Sequence, residues 1–347
     1  MERSRAWVVI AAVAAALIVV VAGLFILRPF HFGPGGGGST YGGQIISYTS
    51  SVDQTALSYY EWLPNGYDPN STYPLAVFLH GLAQAGNELL TNSGGPGIIQ
   101  AAQSDGYILI SINTRTNDGF YVNSPYSGPQ QQDVVDAVHH EEALRHIGKL
   151  YVFGTSMGSV GSLSLGLNHV LPVAGIGAIN SCTDAFEAIE WRIQIGLTPE
   201  LAEIQSVTGG KLPGQSAFAT ALTYYMSPAR FYPHNFSGIP FYIVQGGNDN
   251  RCPNNPNFTA WQNANDTVLT STCTSVPSLA EPPNCTTPLA DLSAADPSQY
   301  HWRFVYVPRG PHNLNIMNGP DMFAYFSGRV PDGLVWASPG GTPYPPP

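Results

Sequence analysis

The chain has 347 residues, of which 44% are hydrophobic, and a formal net charge of −10. It therefore has enough apolar material for a buried core, which excludes a wholly disordered protein. The 13 basic residues are outnumbered by 23 acidic ones, which excludes a nucleic-acid-binding protein with the basic patches that phosphate requires. Only 10% of the residues are charged, and only Lys149 and Lys211 are lysines. This composition suits an exported protein and leads to the hypothesis of an acidic habitat.

An apolar segment lies near the start of the chain. Residues 6–27 carry no charge, and as a helix they would span about 33 Å, close to the core of a bilayer. Arg3 and Arg5 precede the segment and Arg28 follows it, which favours a cytoplasmic N-terminus. We predict a single-pass anchor over residues 1–28 that holds the rest of the chain at the outer side of the cell membrane. The alternative is a cleaved signal peptide and a secreted protein, although its apolar region is usually only ~7 to 15 residues long.

After the anchor, the pattern predicts a Gly-rich linker at 29–44, a folded body at 45–329 and a Pro/Gly-rich tail at 330–347. In the body, short apolar runs alternate with helical stretches, which is typical of an α/β fold with a mostly parallel sheet and helices on both faces. Residues 183–235 exceed an ordinary crossover and predict a helical cap insertion. The predicted strands are Leu75–His80, Tyr107–Ile112, Leu150–Phe153, Val173–Ile179, Phe241–Val244 and Arg303–Val307, and the predicted helices are Asp133–His146 and Ser159–His169.

A G-x-S-x-G pentapeptide, Gly154–Gly158, lies between a predicted strand and a predicted helix. A strand that turns sharply into a helix needs small residues on both sides of the turn. Such a turn lifts the serine hydroxyl above the sheet and points the helix N-terminus at it. We therefore predict that Ser156 is a nucleophile. The alternative is a glycine turn in which the serine is incidental.

A serine hydroxyl alone is a poor nucleophile, so it needs a base and a group that orients the base. Asp249 and His312 each follow a predicted strand, which would put both at the edge of the sheet where Ser156 lies. Either residue could instead be an ordinary loop residue, and Asp184 is the alternative acid. His301 precedes the last predicted strand and would lie at the opposite edge.

The tetrahedral intermediate of such a reaction needs hydrogen-bond donors for its oxyanion. The amide of Met157, directly after the serine, is the first predicted donor. The amide of Leu82, in the loop that begins with His80 and Gly81, is the second. His80 itself is interpreted as a structural turn residue. The sequence predicts no cofactor and no metal ion.

Cysteines and glycosylation sequons agree with export. The four cysteines predict disulfide bonds, for which three pairings are possible. A zinc site is the alternative, but no pair has the tight C-x-x-C spacing that is usual for such sites. The five N-x-[ST] sequons predict glycosylation; the alternative is that an Asn- and Thr-rich chain contains such sequons by chance. The cysteines are Cys182, Cys252, Cys273 and Cys285, and the sequon residues are Asn70, Asn235, Asn257, Asn265 and Asn284.

The segments Trp62–Pro69, Tyr73–Leu75 and Phe78–Gly81 resemble the opening of the α/β-hydrolase esterases. The resemblance is to the group of feruloyl-esterase-like and polyhydroxybutyrate-depolymerase-like enzymes and the related "predicted peptidases". The serine turn, the acid loop GGNDNRCP and the histidine loop GPHNL follow in matching order. The resemblance covers roughly residues 48–326.

This resemblance implies an α/β-hydrolase fold and a catalytic triad of Ser156, Asp249 and His312. The sequence departs from the pattern in two places. The interval between acid and histidine is lengthened by the region around Cys273 and Cys285, and a serine follows the elbow where many relatives have a second glycine.

The predicted function is hydrolysis of a carboxylic ester, either a small molecule or a polymer such as a plant-polymer ester, a polyester or a lipid. One alternative is a serine peptidase of the prolyl-oligopeptidase type, which uses the same turn and triad. Another is a catalytically inactive surface binding module with a hydrolase fold. Aromatic residues near the predicted rim, Phe120, Tyr121 and Tyr126, either stack on a ring of the substrate or pack within the protein.

Overall fold

Ten strands lie in the part of the chain that the computed structural model describes. The described residues are 42–81, 84–114, 129–168, 171–181, 238–249, 251, 301–337 and 343–344. The strands are β1 Gln44–Thr49, β2 Ala56–Trp62, β3 Tyr73–Leu79, β4 Ile108–Ile112, β5 Ile147–Thr155, β6 Val173–Ile179, β7 Phe241–Gly246, β8 Trp302–Val307, β9 Gly333–Ala337 and β10 Pro343–Tyr344.

Five helices lie between these strands in the described part of the chain. A 3₁₀ turn, Leu314–Ile316, precedes the last helix. The helices are α1 Glu88–Thr91, α2 Gly95–Ser104, α3 Pro129–Leu144, α4 Met157–Asn168 and α5 Gly319–Phe326.

The strands form one mixed sheet in the order β1-β2-β4-β3-β5-β6-β7-β8-β9-β10. Neighbouring strands from β4 to β9 in this order run parallel to each other. The pairs β1/β2, β2/β4 and β9/β10, nearer the two edges, are antiparallel. The predicted mostly parallel sheet is therefore confirmed.

The hydrophobic core lies on both faces of this sheet because successive side chains of a strand point to opposite faces. On β3, Leu75, Val77 and Leu79 pack in one buried cluster with residues of α3 and α4. Ala76 and Phe78 of the same strand pack in a second cluster with residues of α2 and α5. The helices therefore cover both faces, as predicted.

Helix α5 was not predicted, although its N-terminus carries clear signals. The side chain of Asn318 accepts a hydrogen bond from the amide of Asp321 at 3.2 Å, and a proline lies in the first turn. Both features are typical of helix starts. Met322 and Phe323 of this helix are fully buried in the core.

The predicted tail at 330–347 is wrong for residues 333–337 and 343–344, which form β9 and β10. Strand β9 pairs in parallel with β8. The segment contains Val335 and Trp336, two residues of high β-propensity, and pairing with the open edge of β8 satisfies its backbone groups. The composition alone had suggested a tail. At the other end of the sheet, β1 includes the last residue of the predicted linker.

Two predicted segments cannot be followed in the fold. The anchor at 1–28 and the helical cap at 183–235 lie outside the described residues and stay predictions. Within the described ranges, no helix combines the length and the apolar character that a membrane span requires.

A pair of buried carboxyl groups joins β2 to α3. Glu61 and Glu141 are at most 2% exposed. Arg145 donates to both oxygens of Glu61, at 3.0 and 3.2 Å, and the hydroxyl of Tyr59 donates to Glu141 at 2.6 Å. Burial raises the pKa of Glu141 to about 7, with a smaller contribution from Glu61. Burial disfavours the charged form of a carboxyl group, and a second carboxylate nearby disfavours it further. The pair therefore retains a proton up to near-neutral pH.

In a Glu141→Gln variant, we expect the free energy of unfolding to lose the pH dependence that Glu141 contributes. The folded-state pKa of Glu141 lies above its ordinary value of 4.5, so its contribution is complete below that pH and is lost as the pH rises through about 7. From pH 4.5 to 8, the free energy of unfolding of the wild type should fall relative to the variant by on the order of 1 to 3 kcal/mol. Urea denaturation across this pH range measures it.

The difference in free energy of unfolding between the wild type and Glu141→Gln reports the titration of Glu141. Burial lowers the pKa of His80, which produces the opposite pH trend, but His80 is present in both proteins and cancels in the difference. Glu142→Gln, at an exposed position of the same helix, is the matched control and should follow the wild type. A constant difference between wild type and Glu141→Gln would contradict the retained proton.

Candidate active site

Residues with catalytic potential follow the carboxyl ends of parallel strands. Strands β3, β5, β7 and β8 run in the same direction, so the segments that follow them lie at one edge of the sheet. Gly81 follows β3, Ser156 follows β5, Asp249 follows β7 and His312 follows β8. The structure therefore brings the three residues of the predicted triad to the same edge.

Ser156 occupies the sharp turn between β5 and α4. Its φ angle is 53°, a left-handed conformation that is uncommon for residues other than glycine. Its amide donates to the carbonyl of Ile179 at the end of β6, at 2.9 Å, and its carbonyl accepts from the amide of Ser159 at 3.1 Å. These bonds hold a strained turn that presents the hydroxyl at the start of α4.

The two glycines of the pentapeptide let this turn approach β3. A Cβ atom on Gly154 would lie 2.3 Å from the carbonyl carbon and oxygen of Gly158. A Cβ atom on Gly158 would lie 1.9 Å from the carbonyl oxygen of Leu79. Side chains cannot exist at these distances, so close packing around Ser156 requires glycine at both positions.

His312 and Asp249 form a hydrogen-bonded pair. His312 Nδ1 lies 2.8 Å from Asp249 Oδ2, and the side chain of Asp249 is fully buried. The carboxylate also accepts from the amide of Arg251 at 2.9 Å and from Nε2 of Gln245 at 3.2 Å. A carboxylate has no hydrogen to donate, so the hydrogen of the pair is assigned to Nδ1. The other ring nitrogen, Nε2, is then left for a further partner.

Ser156 and His312 line the same pocket, which has a volume of about 400 Å³. Among the described residues that line it, all side chains are polar except at Gly81 and Pro311. No direct hydrogen bond joins the Ser156 hydroxyl to the imidazole within the described residues; in catalytic sites this contact often forms only when substrate is bound. The pocket thus places a hydroxyl and an oriented imidazole on the walls of one cavity.

A second histidine, His301, also pairs with an aspartate. Its Nδ1 lies 3.0 Å from Asp332 Oδ2, and both side chains are more than 40% exposed. His301 precedes β8, so it lies at the opposite edge of the sheet from the residues that follow the strands, as predicted. The pair at His301 therefore has no serine turn beside it.

The loop after β3 lies beside the serine turn. Burial lowers the pKa of His80, so the imidazole is neutral. Its Nδ1 lies 2.8 Å from the carbonyl oxygen of Gly81 and its Nε2 lies 2.8 Å from the hydroxyl of Thr114. The tautomer that carries hydrogen on Nδ1 satisfies both contacts, and His80 has the structural place that the sequence suggested. Met157 begins α4, where amides have no acceptor within the helix.

Two further polar residues lie at this edge that no sequence pattern predicted. Glu88 is buried, lines the pocket, and accepts a hydrogen bond from the amide of Gly81. Asn180, with a φ of 49°, donates from Nδ2 to the carbonyl of Asn313 at 2.8 Å, directly beside His312. Asn180 directly follows β6, at the same edge of the sheet as Ser156, and a polar residue at that position could have been predicted from the sequence. No motif marks Glu88.

Several predicted residues lie outside the described residues and stay predictions. Of the sequons, the described one is at Asn70, which is exposed in a turn where it donates to Asp68. Within the described part of the chain, His, Cys, Asp and Glu nowhere form a group of three that could hold a metal ion. The predictions outside it are Leu82, Asp184, Phe120, Tyr121, Tyr126, Cys182, Cys252, Cys273, Cys285, Asn235, Asn257, Asn265 and Asn284.

Comparison with known proteins identifies the fold through structure alone. No family model and no curated protein matches the chain. Among solved structures, it is similar to an S-formylglutathione hydrolase from Agrobacterium tumefaciens, with 14% identity and a TM-score of 0.51 over 84% of this chain and 98% of the other. It is also similar to a ferulic acid esterase, with 12% identity and a TM-score of 0.51 over 83% and 98%.

A third similar structure is the acylaminoacyl peptidase of Pyrococcus horikoshii, with 13% identity and a TM-score of 0.54. The match covers 82% of this chain and 40% of the peptidase, so this chain corresponds to less than half the length of that enzyme. At sequence identities this low, the structural similarity supports a shared fold and nothing further. The resemblance found in the sequence predicted the same architecture, and the chain has the α/β-hydrolase fold.

Proposed function

We propose that the protein is an extracytoplasmic serine hydrolase that cleaves carboxylic esters through an acyl-enzyme intermediate. The observation that carries the proposal is the 2.8 Å contact between His312 and Asp249 at a pocket that also contains Ser156. Ser156 occupies the strand-to-helix turn that such nucleophiles use. A nucleophile, a base and an orienting acid are thus present at one site.

In the proposed reaction, Ser156 Oγ attacks the ester carbonyl while His312 Nε2 takes the hydroxyl proton. Nε2 is the nitrogen available for this step because Nδ1 donates to Asp249. The amides of Met157 and Leu82 stabilise the oxyanion. The protonated imidazole then gives its proton to the leaving alcohol as the ester bond breaks, which leaves the acyl group on Ser156.

Deacylation repeats these roles with water. His312 removes a proton from water, the resulting hydroxide attacks the acyl carbonyl, and the proton returns to Ser156 as the acid product leaves. Asp249 keeps the imidazole in the required tautomer and stabilises its charged form. Its three described hydrogen bonds, from His312, Gln245 and the amide of Arg251, hold the carboxylate in place for this task.

Two observations support an ester and an exported location. The described pocket wall is mainly polar, which favours short or hydroxylated acyl groups over long alkyl chains. The apolar segment 6–27 and the arginines around it support membrane anchoring with the hydrolase domain outside. Because one of the similar structures is a peptidase, peptide substrates belong in the test.

The test is a substrate panel with purified wild type and a Ser156→Ala variant as the background. The panel contains p-nitrophenyl esters of increasing acyl length, acetyl and feruloyl esters, and peptide p-nitroanilides. We expect the wild type to hydrolyse the short or feruloyl esters at least about 100-fold faster than the peptide anilides, and the variant to be inactive. A fluorophosphonate probe should label the wild type and fail to label the variant.

Each alternative gives a different result. Faster cleavage of peptide anilides than of every ester would overturn the ester assignment in favour of a peptidase. Absence of both labelling and turnover in folded wild-type protein would leave the inactive binding module. Equal labelling of wild type and Ser156→Ala would show that the nucleophile lies elsewhere.

A further inference from the structure

Side chains hold both backbone polar groups of Gly81. Its amide donates to Glu88 Oε2 at 2.8 Å, and its carbonyl oxygen lies 2.8 Å from His80 Nδ1. Glycine has no side chain to restrict its dihedral angles. The carbonyl also accepts from the amide of Gln84 at 3.1 Å, so Glu88 is the described partner of the amide while two groups hold the carbonyl where the chain leaves β3.

Gly81 lies directly beside the nucleophile. A Cβ atom built on it would be 3.7 Å from Cβ of Ser156 and 3.6 Å from Cγ2 of Thr155. Gly81, Glu88 and Ser156 also line the same pocket. A change in the orientation of Gly81 would therefore be transmitted to the wall of the pocket next to the reacting carbonyl.

Glu88 makes no ion pair within the described residues. It is 5% exposed, and the amide of Gly81 is its described side-chain partner. Burial raises the pKa of Glu88 to about 7, with an opposing effect from the hydrogen bond to Gly81. A carboxyl group accepts this bond through an oxygen in either protonation state. Geometry, rather than charge, is thus the feature that the contact requires.

We propose that Glu88 is a positioning residue that holds the amide of Gly81 and so orients the loop after β3 for catalysis at Ser156. The inference rests on the proposed function, in which the next amide of this loop, at Leu82, serves the oxyanion. A donor of this kind stabilises the transition state more than the bound substrate. Loss of the contact should therefore lower kcat much more than it changes KM.

Two substitutions at Glu88 separate the effect of side-chain length from the effect of the ionisable group. Glu88→Gln keeps the length of the side chain and an oxygen acceptor but removes the acid. Glu88→Asp keeps the acid but is shorter by one methylene, which takes its oxygens out of reach of the Gly81 amide. Glu142→Asp, at an exposed position on α3, is the matched control for the shortening. Rates are divided by the concentration of active sites, titrated with a fluorophosphonate, so that only folded enzyme is counted.

For Glu88→Asp we expect kcat to fall by roughly 10- to 100-fold with KM changed less than about threefold, in line with the loss of oxyanion stabilisation. Glu88→Gln should keep kcat within about threefold of the wild type, and Glu142→Asp should match the wild type. A loss in Glu88→Gln as large as that in Glu88→Asp, or a normal kcat in Glu88→Asp, would overturn the proposal. If Glu88→Asp does not fold, Glu88→Ala takes its place with the same expected loss, and a normal kcat in that variant would likewise overturn the proposal. Failure of the proposed function is distinguishable because it would appear in the wild type itself, either as absent labelling and turnover or as faster cleavage of peptide anilides than of every ester.

Discussion

An Asp249→Asn variant is expected to lose about 10⁴-fold in kcat while remaining folded. Asp249 accepts from His312 Nδ1 at 2.8 Å, and an asparagine in the same place can present its NH₂ group to that nitrogen. The imidazole would then carry its hydrogen on Nε2, where it cannot accept the proton of Ser156. Steady-state kinetics on the best ester of the panel measures the loss.

The structure offers a matched control for this substitution. Asp332 also accepts a hydrogen bond from a histidine, His301, at 3.0 Å, but this pair lies at the other edge of the sheet. Asp332→Asn therefore makes the same chemical change away from the pocket, and we expect it to leave kcat within about twofold, as for exposed sites generally. Full turnover in Asp249→Asn would show that another residue, with Asp184 as the first candidate, acts as the acid.

The buried part of the sheet was predictable from sequence because local patterns encode it. Each of the six predicted strands overlaps an observed one, and Val173–Ile179 coincides with β6. These strands are apolar runs because both faces are covered by helices. Strands β1 and β2 contain exposed and half-buried positions, so they lack the apolar run and were missed.

The places of Ser156, Asp249 and His312 were also predictable, since each follows a strand and parallel strands share an edge. Glu88 was not predictable in the same way. Its role depends on a chain that folds back so that the carboxyl reaches the amide of Gly81, and no spacing in the segment indicates that contact. The carboxyl groups of Glu61 and Glu141 belong to residues 80 positions apart in the sequence. They meet only because β2 pairs with the rest of the sheet, and no local pattern indicates that pairing.

Gly158→Ala is expected to lower the free energy of unfolding by at least about 3 kcal/mol, at the upper end of the effects of overpacking. The added Cβ would lie 1.9 Å from the carbonyl oxygen of Leu79 and 2.8 Å from that of His80. Both are backbone atoms, which cannot turn away as a flexible side chain can. Relief requires a shift of α4 away from β3, and urea denaturation measures its cost.

The same shift should impair catalysis in the molecules that remain folded. Met157 begins α4 and Ser156 directly precedes it, so displacing the helix moves both the proposed nucleophile and the first proposed oxyanion donor. A displacement of about 1 Å can cost on the order of 100-fold in rate, and kcat per fluorophosphonate-labelled site should fall by about that factor.

Gly97→Ala provides the comparison for the effect of adding a methyl group. Gly97 lies in α2, is exposed, and has no atom within 4 Å of an added Cβ. Alanine is the better helix former, so this variant should be as stable as the wild type or more stable by up to about 1 kcal/mol. Wild-type stability in Gly158→Ala would mean that the start of α4 does not contact the end of β3. The pentapeptide would then need another explanation than the close approach that presents Ser156 to the pocket.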